Sequence, residues 1–180
     1  IDNSFKDNVF YGVDPHDRSH NLTFRGNLFE NNGSHGAIVS KEVSATTFRD
    51  NRSVGNGGNG FVIDSDSFDV VIEGNVAANN AIDGIVVLNS RRNEIINNEV
   101  RENRVGIRIN GERSTGNIIE GNTVDSNVTG IQLYGGASAT RIEGALVRNP
   151  GRTALPGAPP APRGAGAAAP GGRIGTARRP

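Results

Sequence analysis

Asparagine recurs at a fixed interval through residues 1–149 of this 180-residue chain. One set is spaced by 24 residues, with a single interval of 23, and comprises Asn3, Asn27, Asn51, Asn75, Asn98 and Asn122. A second set lies five residues further on and comprises Asn8, Asn32, Asn56, Asn80, Asn103 and Asn127. Asparagine favours turns, so each interval predicts one coil that returns to the same turn. A repeat of this length without helical periodicity is typical of a parallel β-helix.

Short apolar runs supply the strands of each coil. One run follows a recurring glycine, as at Phe61–Ile63 after Gly60, and another precedes the first-set asparagine, as at residues 70–72. Stacked coils lie about 4.8 Å apart, and the handedness of parallel connections favours a right-handed coil. We therefore predict an all-β fold over residues 1–149, a right-handed parallel β-helix of about 24 residues per coil with six to seven coils.

Alternation along the strand after each glycine separates core positions from surface positions. The residue directly after the glycine is apolar in every coil, as at Ala37 and Ile85, and is predicted to point inward. Two predicted outward columns are Asp14, Ile38, Val62, Val86, Arg108 and Gln132, and His16, Ser40, Asp64, Leu88, Asn110 and Tyr134. A third column precedes the glycines and comprises Tyr11, His35, Asn59, Asp83, Val105 and Thr129.

Composition excludes several classes of protein and site. The chain has no cysteine, which excludes a disulfide framework and a thiolate metal site. Its three histidines are too dispersed for a zinc site, and no apolar run approaches the ~18 residues of a membrane helix. The chain begins partway through a repeat, so we expect further coils upstream.

The net charge of zero divides into two unlike parts. Residues 151–180 contain five arginines and no acidic residue, which leaves 14 basic and 19 acidic residues in the rest of the chain. This segment is also rich in proline, glycine and alanine, a composition that cannot form a core. We therefore predict a repeat domain over residues 1–149 and a disordered tail over residues 150–180.

One segment departs from the repeat. Residues 11–20 (YGVDPHDRSH) hold two aspartates, two histidines, an arginine, a tyrosine and the only proline of the repeat region. Strand alternation predicts that Asp14 and His16 share the outer face, with Pro15 stiffening the chain between them. Breaks in a regular repeat often mark functional sites, although an edge strand with a solvated polar face would look the same.

At this segment the sequence resembles the alginate (mannuronan) C5-epimerases. The stretch Tyr11-Gly12-Val13-Asp14-Pro15-His16-Asp17 resembles a motif of both the periplasmic and the secreted branch. The stretches at residues 18–20, 35–43 and 51–53 are closer to the periplasmic branch. The resemblance implies a right-handed β-helix enzyme that inverts C5 of β-D-mannuronate within the polymer.

The resemblance also implies roles for individual residues. It implies His16 as the base, Tyr11 as the acid/base on the opposite face of the sugar, and Asp14 as essential. We expect Asp14 to orient His16 or to hold its charged form. Lys41 stands where the periplasmic branch has an arginine that neutralises the substrate carboxylate. We expect substrate-binding roles at Asp17, Arg18, His35, Ser40, Arg52 and Asp64.

The expected partner is an acidic, alginate-like polysaccharide, not nucleic acid or a membrane, bound by a monomer in the periplasm or outside the cell. No cofactor is required by this chemistry, although Asp64, Asp66 and Asp69 could form an oxygen-ligand calcium site. Two alternatives remain open. A polyuronate lyase would use the same site for β-elimination, and a carbohydrate-binding β-helix module would keep the motif without activity.

Overall fold

The structure is a computed structural model that describes residues 1–148. All regular elements in this range are strands: β1 (Ser4–Lys6), β2 (Thr23–Arg25), β3 (Leu28–Glu30), β4 (Ala37–Val39), β5 (Thr47–Arg49), β6 (Arg52–Val54), β7 (Phe61–Ile63), β8 (Val71–Glu73), β9 (Val76–Ala78), β10 (Asp83–Leu88), β11 (Glu94–Ile96), β12 (Glu99–Arg101), β13 (Val105–Asn110), β14 (Ile118–Glu120), β15 (Thr123–Asp125), β16 (Thr129–Tyr134), β17 (Arg141–Glu143) and β18 (Leu146–Arg148). The predicted tail, residues 150–180, lies outside the described residues.

The strands form three parallel sheets that run the length of the coil. Sheet A has the order β1-β3-β6-β9-β12-β15-β18, sheet B has β4-β7-β10-β13-β16, and sheet C has β2-β5-β8-β11-β14-β17. Every pairing joins a residue to its equivalent in the next coil, as in Phe5 with Phe29 and Ala37 with Phe61. The all-β coiled fold and the repeat of about 24 residues are therefore confirmed.

The core fills the space between the three sheets. The inward residues of sheet B are buried through most of the coil, including Ala37, Phe61, Ile85 and Ile107. Aromatic rings continue the stacking between coils, with ring centroids 5.3 Å apart for Phe5 and Phe29. Burying one such side chain contributes about 2 to 3 kcal/mol, so the apolar columns supply most of the drive for coiling.

The recurring asparagines form hydrogen-bonded ladders inside the turns. Oδ1 of Asn75 accepts from the backbone N and from Nδ2 of Asn51, at 2.8 and 2.9 Å, while its own Nδ2 donates to the carbonyl of Phe48 at 2.9 Å. Asn75 is 1% exposed. Each asparagine thus satisfies backbone groups that the turn would otherwise bury without a partner.

We expect Asn75→Ala to destabilise the fold by about 3 kcal/mol, because it leaves the buried backbone N–H of Asn51 without its acceptor and removes a donor from the Phe48 carbonyl. The matched control is Asn3→Ala, at the exposed start of the same ladder, which keeps the backbone N–H bond to Asn27 and loses only exposed or part-buried bonds donated by its Nδ2. Urea unfolding of both variants measures the difference. Equal midpoints would contradict a stabilising role for the ladder.

The outer face of sheet B differs from the expectation of a solvent-facing surface. Ile38, Val62 and Val86 point outward, yet they are 8%, 3% and 0% exposed and form a second apolar cluster with Leu88. These side chains are covered by their neighbours and are not open to solvent. We call this outer face of sheet B the groove, and its central column of Asp14, Ile38, Val62 and Val86 the floor.

Candidate active site

Two rims flank the groove. The first rim is the column of Tyr11, His35, Asn59 and Asp83, and the second rim is the column of His16, Ser40, Asp64 and Leu88. Parallel bridges pair Val13 with Ala37 and His16 with Ser40, so the polar segment at residues 11–20 lies in register beside β4. It forms bridges and not a full strand, as expected where Pro15 lacks an N–H.

The turn that follows the second rim holds an unusual backbone. Two successive non-glycine residues have positive φ in three neighbouring coils, listed here with their φ values: Asp17 (54°) and Arg18 (64°), Lys41 (61°) and Glu42 (64°), and Ser65 (55°) and Asp66 (62°). The left-handed region costs an ordinary residue about 1 kcal/mol or more. Further along the coil, Asn89 and Gly111 have positive φ at this turn, and both residue types tolerate it. The first three coils therefore retain side chains where asparagine or glycine would strain the backbone less, which is common at functional sites.

This turn brings His16, Asp17 and Lys41 together. Nδ1 of His16 lies 2.6 Å from Oδ2 of Asp17, and Nζ of Lys41 lies 3.5 Å from Oδ1 of the same carboxylate. The hydrogen bond with His16 lowers the pKa of the Asp17 carboxyl, and the charge of Lys41 lowers that pKa further. An ionised Asp17 accepts a hydrogen bond from Nδ1–H of His16. The tautomer with an unprotonated Nε2 is therefore favoured, and this nitrogen can act as a base.

The histidine's partner differs from the sequence-based expectation. We expected Asp14 to orient His16, but the contact is made by Asp17. Asp14 and His16 lie two residues apart on an extended segment, a separation of about 6.6 Å, whereas the turn folds Asp17 back toward the imidazole. Asp14 lies near the first rim instead: burial lowers the pKa of the His35 imidazole, and the charge of Asp14 offsets a small part of that pKa shift.

Tyr11 and His35 form a stacked pair on the first rim. Their ring centroids are 5.3 Å apart and their planes differ by 11°. Nδ1 of His35 accepts a hydrogen bond from the backbone N–H of Asn59 at 3.0 Å. Burial lowers the pKa of the His35 imidazole, and the nearby charges of Asp64 and Asp14 offset part of that pKa shift. Within residues 1–148, no hydrogen bond joins Tyr11 on the first rim to His16 on the second rim.

The other predicted binding residues have diverse positions. Ser40 and Asp64 lie on the second rim, and the Asp64 carboxylate accepts the backbone N–H of Ser65 at 2.6 Å. Arg18 lies on the neighbouring turn, with Nε 3.4 Å from Oε2 of Glu42. Arg52 lies at the start of β6 in sheet A and is not brought together with the rims of sheet B.

The suggested calcium ligands have separate partners. Asp66 pairs with Arg113, and Asp69 accepts two hydrogen bonds from Arg92, each of 2.9 Å. In the described part of the chain, no three His, Asp or Glu side chains are grouped closely enough to hold a metal ion. The same residues include no helix of a length and hydropathy that would cross a membrane.

Sequence reasoning missed a buried ion pair at the far end of the first rim. The Asp83 side chain is 0% exposed and pairs through Oδ2 with the guanidinium of Arg108, which is 20% exposed. Burial raises the pKa of Asp83, while the charge of Arg108 opposes that pKa shift. A signal was available, because Arg108 is the first cation in a column that is apolar at Ile38, Val62 and Val86.

Comparison with known proteins places this arrangement in a family. The family model described as "Right handed beta helix region" matches residues 1–149. The chain belongs to the right-handed β-helix family. The predicted handedness is therefore confirmed for this member of the family.

Part of this β-helix chain is similar to the mannuronan C5-epimerases. It is 50% identical to that of Pseudomonas putida over 44 residues, which are 24% of this chain and 8% of the relative. It is 46% identical to Mannuronan C5-epimerase AlgG of Azotobacter vinelandii over 43 residues, 23% of this chain and 8% of the relative. The resemblance inferred from residues 11–17 is confirmed, and the aligned stretch spans less than a tenth of either relative.

Two solved structures share the β-helix fold. A variant of the periplasmic alginate epimerase AlgG gives a TM-score of 0.65 at 24% identity, covering 81% of this chain and 43% of that one. The A-module of Mannuronan C-5 epimerase AlgE4 from Azotobacter vinelandii gives 0.58 at 18% identity, covering 77% and 56%. At these identities the likeness concerns the fold, and this β-helix chain spans less than half of the AlgG chain.

Proposed function

We propose that the chain is a polysaccharide C5-epimerase that converts β-D-mannuronate to α-L-guluronate in an alginate-like polymer. One observation carries the proposal: His16, Asp17 and Lys41 are linked through the Asp17 carboxylate at the turn after the second rim. Tyr11, stacked on His35, lies on the first rim at the other end of the same segment. The partial similarity to mannuronan C5-epimerases supports the same reaction. The similarity of the fold to a periplasmic enzyme supports a periplasmic or extracellular location.

The reaction requires removal of a proton next to a carboxylate. Nε2 of His16 accepts the C5 proton, while Asp17 holds Nδ1–H and stabilises the imidazolium that forms. The product of this step is an enolate with two negative charges on the former carboxylate. Lys41 lies beside Asp17 and offsets this charge, because a cation placed where charge develops stabilises the transition state.

Inversion requires a proton from the opposite face of the sugar. The Tyr11 hydroxyl donates a proton to C5 from the first rim, and the C–H bond forms on the face opposite to His16. The imidazolium then loses its proton to solvent and the tyrosinate regains one. The step balances without an oxidant, a reductant or a metal.

The second rim provides a path for the polymer. The floor residues Ile38, Val62 and Val86 are almost fully buried and do not contact a sugar ring, whereas Ser40 and Asp64 on the second rim can accept hydroxyl hydrogen bonds. At the far end of the floor, Nη1 of Arg108 donates to the Tyr134 hydroxyl at 3.2 Å. A guanidinium at this position can bind the carboxylate of a distant sugar unit, although the repeat region as a whole is acidic.

The direct test incubates the full chain with poly-mannuronate and follows the product by ¹H NMR, with and without a calcium chelator. We expect the H1 signal of guluronate to grow. Unsaturated uronates that absorb in the near ultraviolet, without guluronate, would identify a lyase instead. Polymer binding with neither product would identify a carbohydrate-binding module.

A further inference from the structure

We propose that His35 is a positioning residue that fixes the ring of Tyr11, and that it does not bind the substrate as the sequence suggested. The inference rests on the proposed function, in which the Tyr11 hydroxyl delivers a proton to C5. Three contacts hold the imidazole: the ring of Tyr11, the backbone of Asn59 and the surface of Gly58.

The first contact is the aromatic stack. The rings of Tyr11 and His35 are nearly parallel, with centroids 5.3 Å apart. Tyr11 is 37% exposed, and the backbone hydrogen bonds that join its neighbours Phe10 and Gly12 to the next coil do not set the direction of its side chain. Phe10 is the other aromatic neighbour of Tyr11, at a centroid distance of 6.3 Å and a plane angle of 51°. The parallel face of His35 is therefore the main constraint on the direction of the phenol.

The second contact fixes the protonation state of the imidazole. Because Nδ1 accepts the Asn59 N–H at 3.0 Å, this nitrogen carries no proton, and the hydrogen of the neutral ring lies on Nε2. If Nδ1 of His35 were protonated, its N–H and the backbone N–H of Asn59 would be two donors facing each other. His35 is thus a neutral aromatic surface for Tyr11, and Nδ1 is already occupied and cannot receive a substrate hydroxyl.

The third contact shows that the coil makes room for the ring. A Cβ at Gly58 would lie 2.6 Å from Nδ1 and 2.9 Å from Cε1 of His35, far closer than atoms can approach. The backbone of Gly58 does not have positive φ, so glycine is needed there for space and not for conformation. Any larger residue at 58 would displace the imidazole and with it the stack.

The repeat supplies a matched variant. One coil further along the same column, Oδ1 of Asn59 accepts the backbone N–H of Asp83 at 2.9 Å, the same bond that Nδ1 of His35 makes. His35→Asn can therefore keep the backbone hydrogen bond and remove only the ring. His35→Phe does the converse, since it keeps an aromatic face and removes the acceptor.

The two variants have opposite expected effects. In His35→Asn we expect kcat to fall roughly tenfold to a hundredfold with KM within about twofold and the midpoint of urea unfolding unchanged, because a misdirected acid slows the chemical step without weakening binding. In His35→Phe we expect kcat near that of the unsubstituted chain and a lower urea midpoint, because the Asn59 N–H loses its partner.

A spectroscopic measurement tests the inference without using activity. The chain has two tyrosines and no tryptophan, so the near-ultraviolet circular dichroism of a Tyr134→Phe background reports on Tyr11. We expect this signal to collapse in His35→Asn and to persist in His35→Phe. If the unsubstituted chain lacks epimerase activity, the proposed function fails, while this signal still decides whether His35 fixes Tyr11.

Two results would overturn the inference. One is a His35→Asn variant with unchanged kcat and an unchanged Tyr11 signal. The other is a His35→Asn variant in which KM rises and kcat does not change, which would restore the substrate-binding role for His35.

Discussion

Replacing Asp17 with asparagine is expected to lower kcat about 10³-fold, within the range that general acid–base groups contribute. The Asp17 carboxylate accepts a hydrogen bond from Nδ1–H of His16. In the proposed mechanism this leaves Nε2 free to act as the base. An asparagine amide can donate to Nδ1 instead, which favours the tautomer with its proton on Nε2. The same substitution removes the negative charge that stabilises the imidazolium and that holds Lys41 nearby.

Asp69→Asn is the matched control for this experiment. Asp69 is exposed, has the same φ of 54° as Asp17 and pairs with a cation, Arg92, but it has no histidine partner. We expect Asp69→Asn to retain kcat and KM in the NMR assay. An Asp17→Asn variant as active as Asp69→Asn would exclude the dyad of His16 and Asp17 from the reaction.

The second large effect is expected from the buried ion pair of Asp83 and Arg108. Arg108→Ala should destabilise the fold by about 3 kcal/mol at neutral pH, because it leaves a fully buried carboxylate without its cation. The penalty should depend on pH. Since burial holds the pKa of Asp83 above its unfolded value, the folded state of the variant favours the protonated acid. The free energy of unfolding of Arg108→Ala should therefore be closest to that of the unsubstituted chain below about pH 4. It should fall as the pH rises through the raised pKa of Asp83.

A double variant separates the cost of a broken pair from the value of the pair itself. The next residue in the column of Asp83 is Val105, and the floor beside Arg108 is Val86. Asp83→Val with Arg108→Ile continues both apolar patterns, and we expect it to be at least as stable as the unsubstituted chain. Urea unfolding between pH 4 and pH 8 measures both variants. A double variant as unstable as Arg108→Ala would contradict this account.

Most of the fold could be predicted because one physical requirement repeats in every coil. A buried turn needs a side chain that both donates and accepts, and asparagine at Asn51, Asn75 and Asn98 meets it at a fixed spacing. Inward positions such as Phe61 and Ile85 follow from strand alternation alone. The burial of Val62 and Val86 on the outer face did not follow, because alternation assigns a side of the sheet and not the cover that neighbouring side chains give.

The candidate site was predicted less completely, because its geometry depends on dihedral angles that residue spacing does not reveal. Position in the strand favoured Asp14 as the partner of His16, and only the positive φ of Asp17 brings the neighbouring carboxylate to the ring. The repeat spacing places Tyr11 and His35 in one column, but it does not reveal the stack between their rings. The predicted roles of Lys41, Ser40 and Asp64 remain predictions.

Because equivalent residues of successive coils are in register, the length of the groove can change only by whole coils. Each coil pairs only with the coils before and after it, and both asparagine ladders continue through every junction between Asn27 and Asn127. Excising or duplicating one complete coil beyond the reaction centre would leave every ladder continuous and would shorten or lengthen the polymer path by about 4.8 Å. Under the proposed function, the number of sugar units held at once could therefore be varied independently of the chemistry at His16.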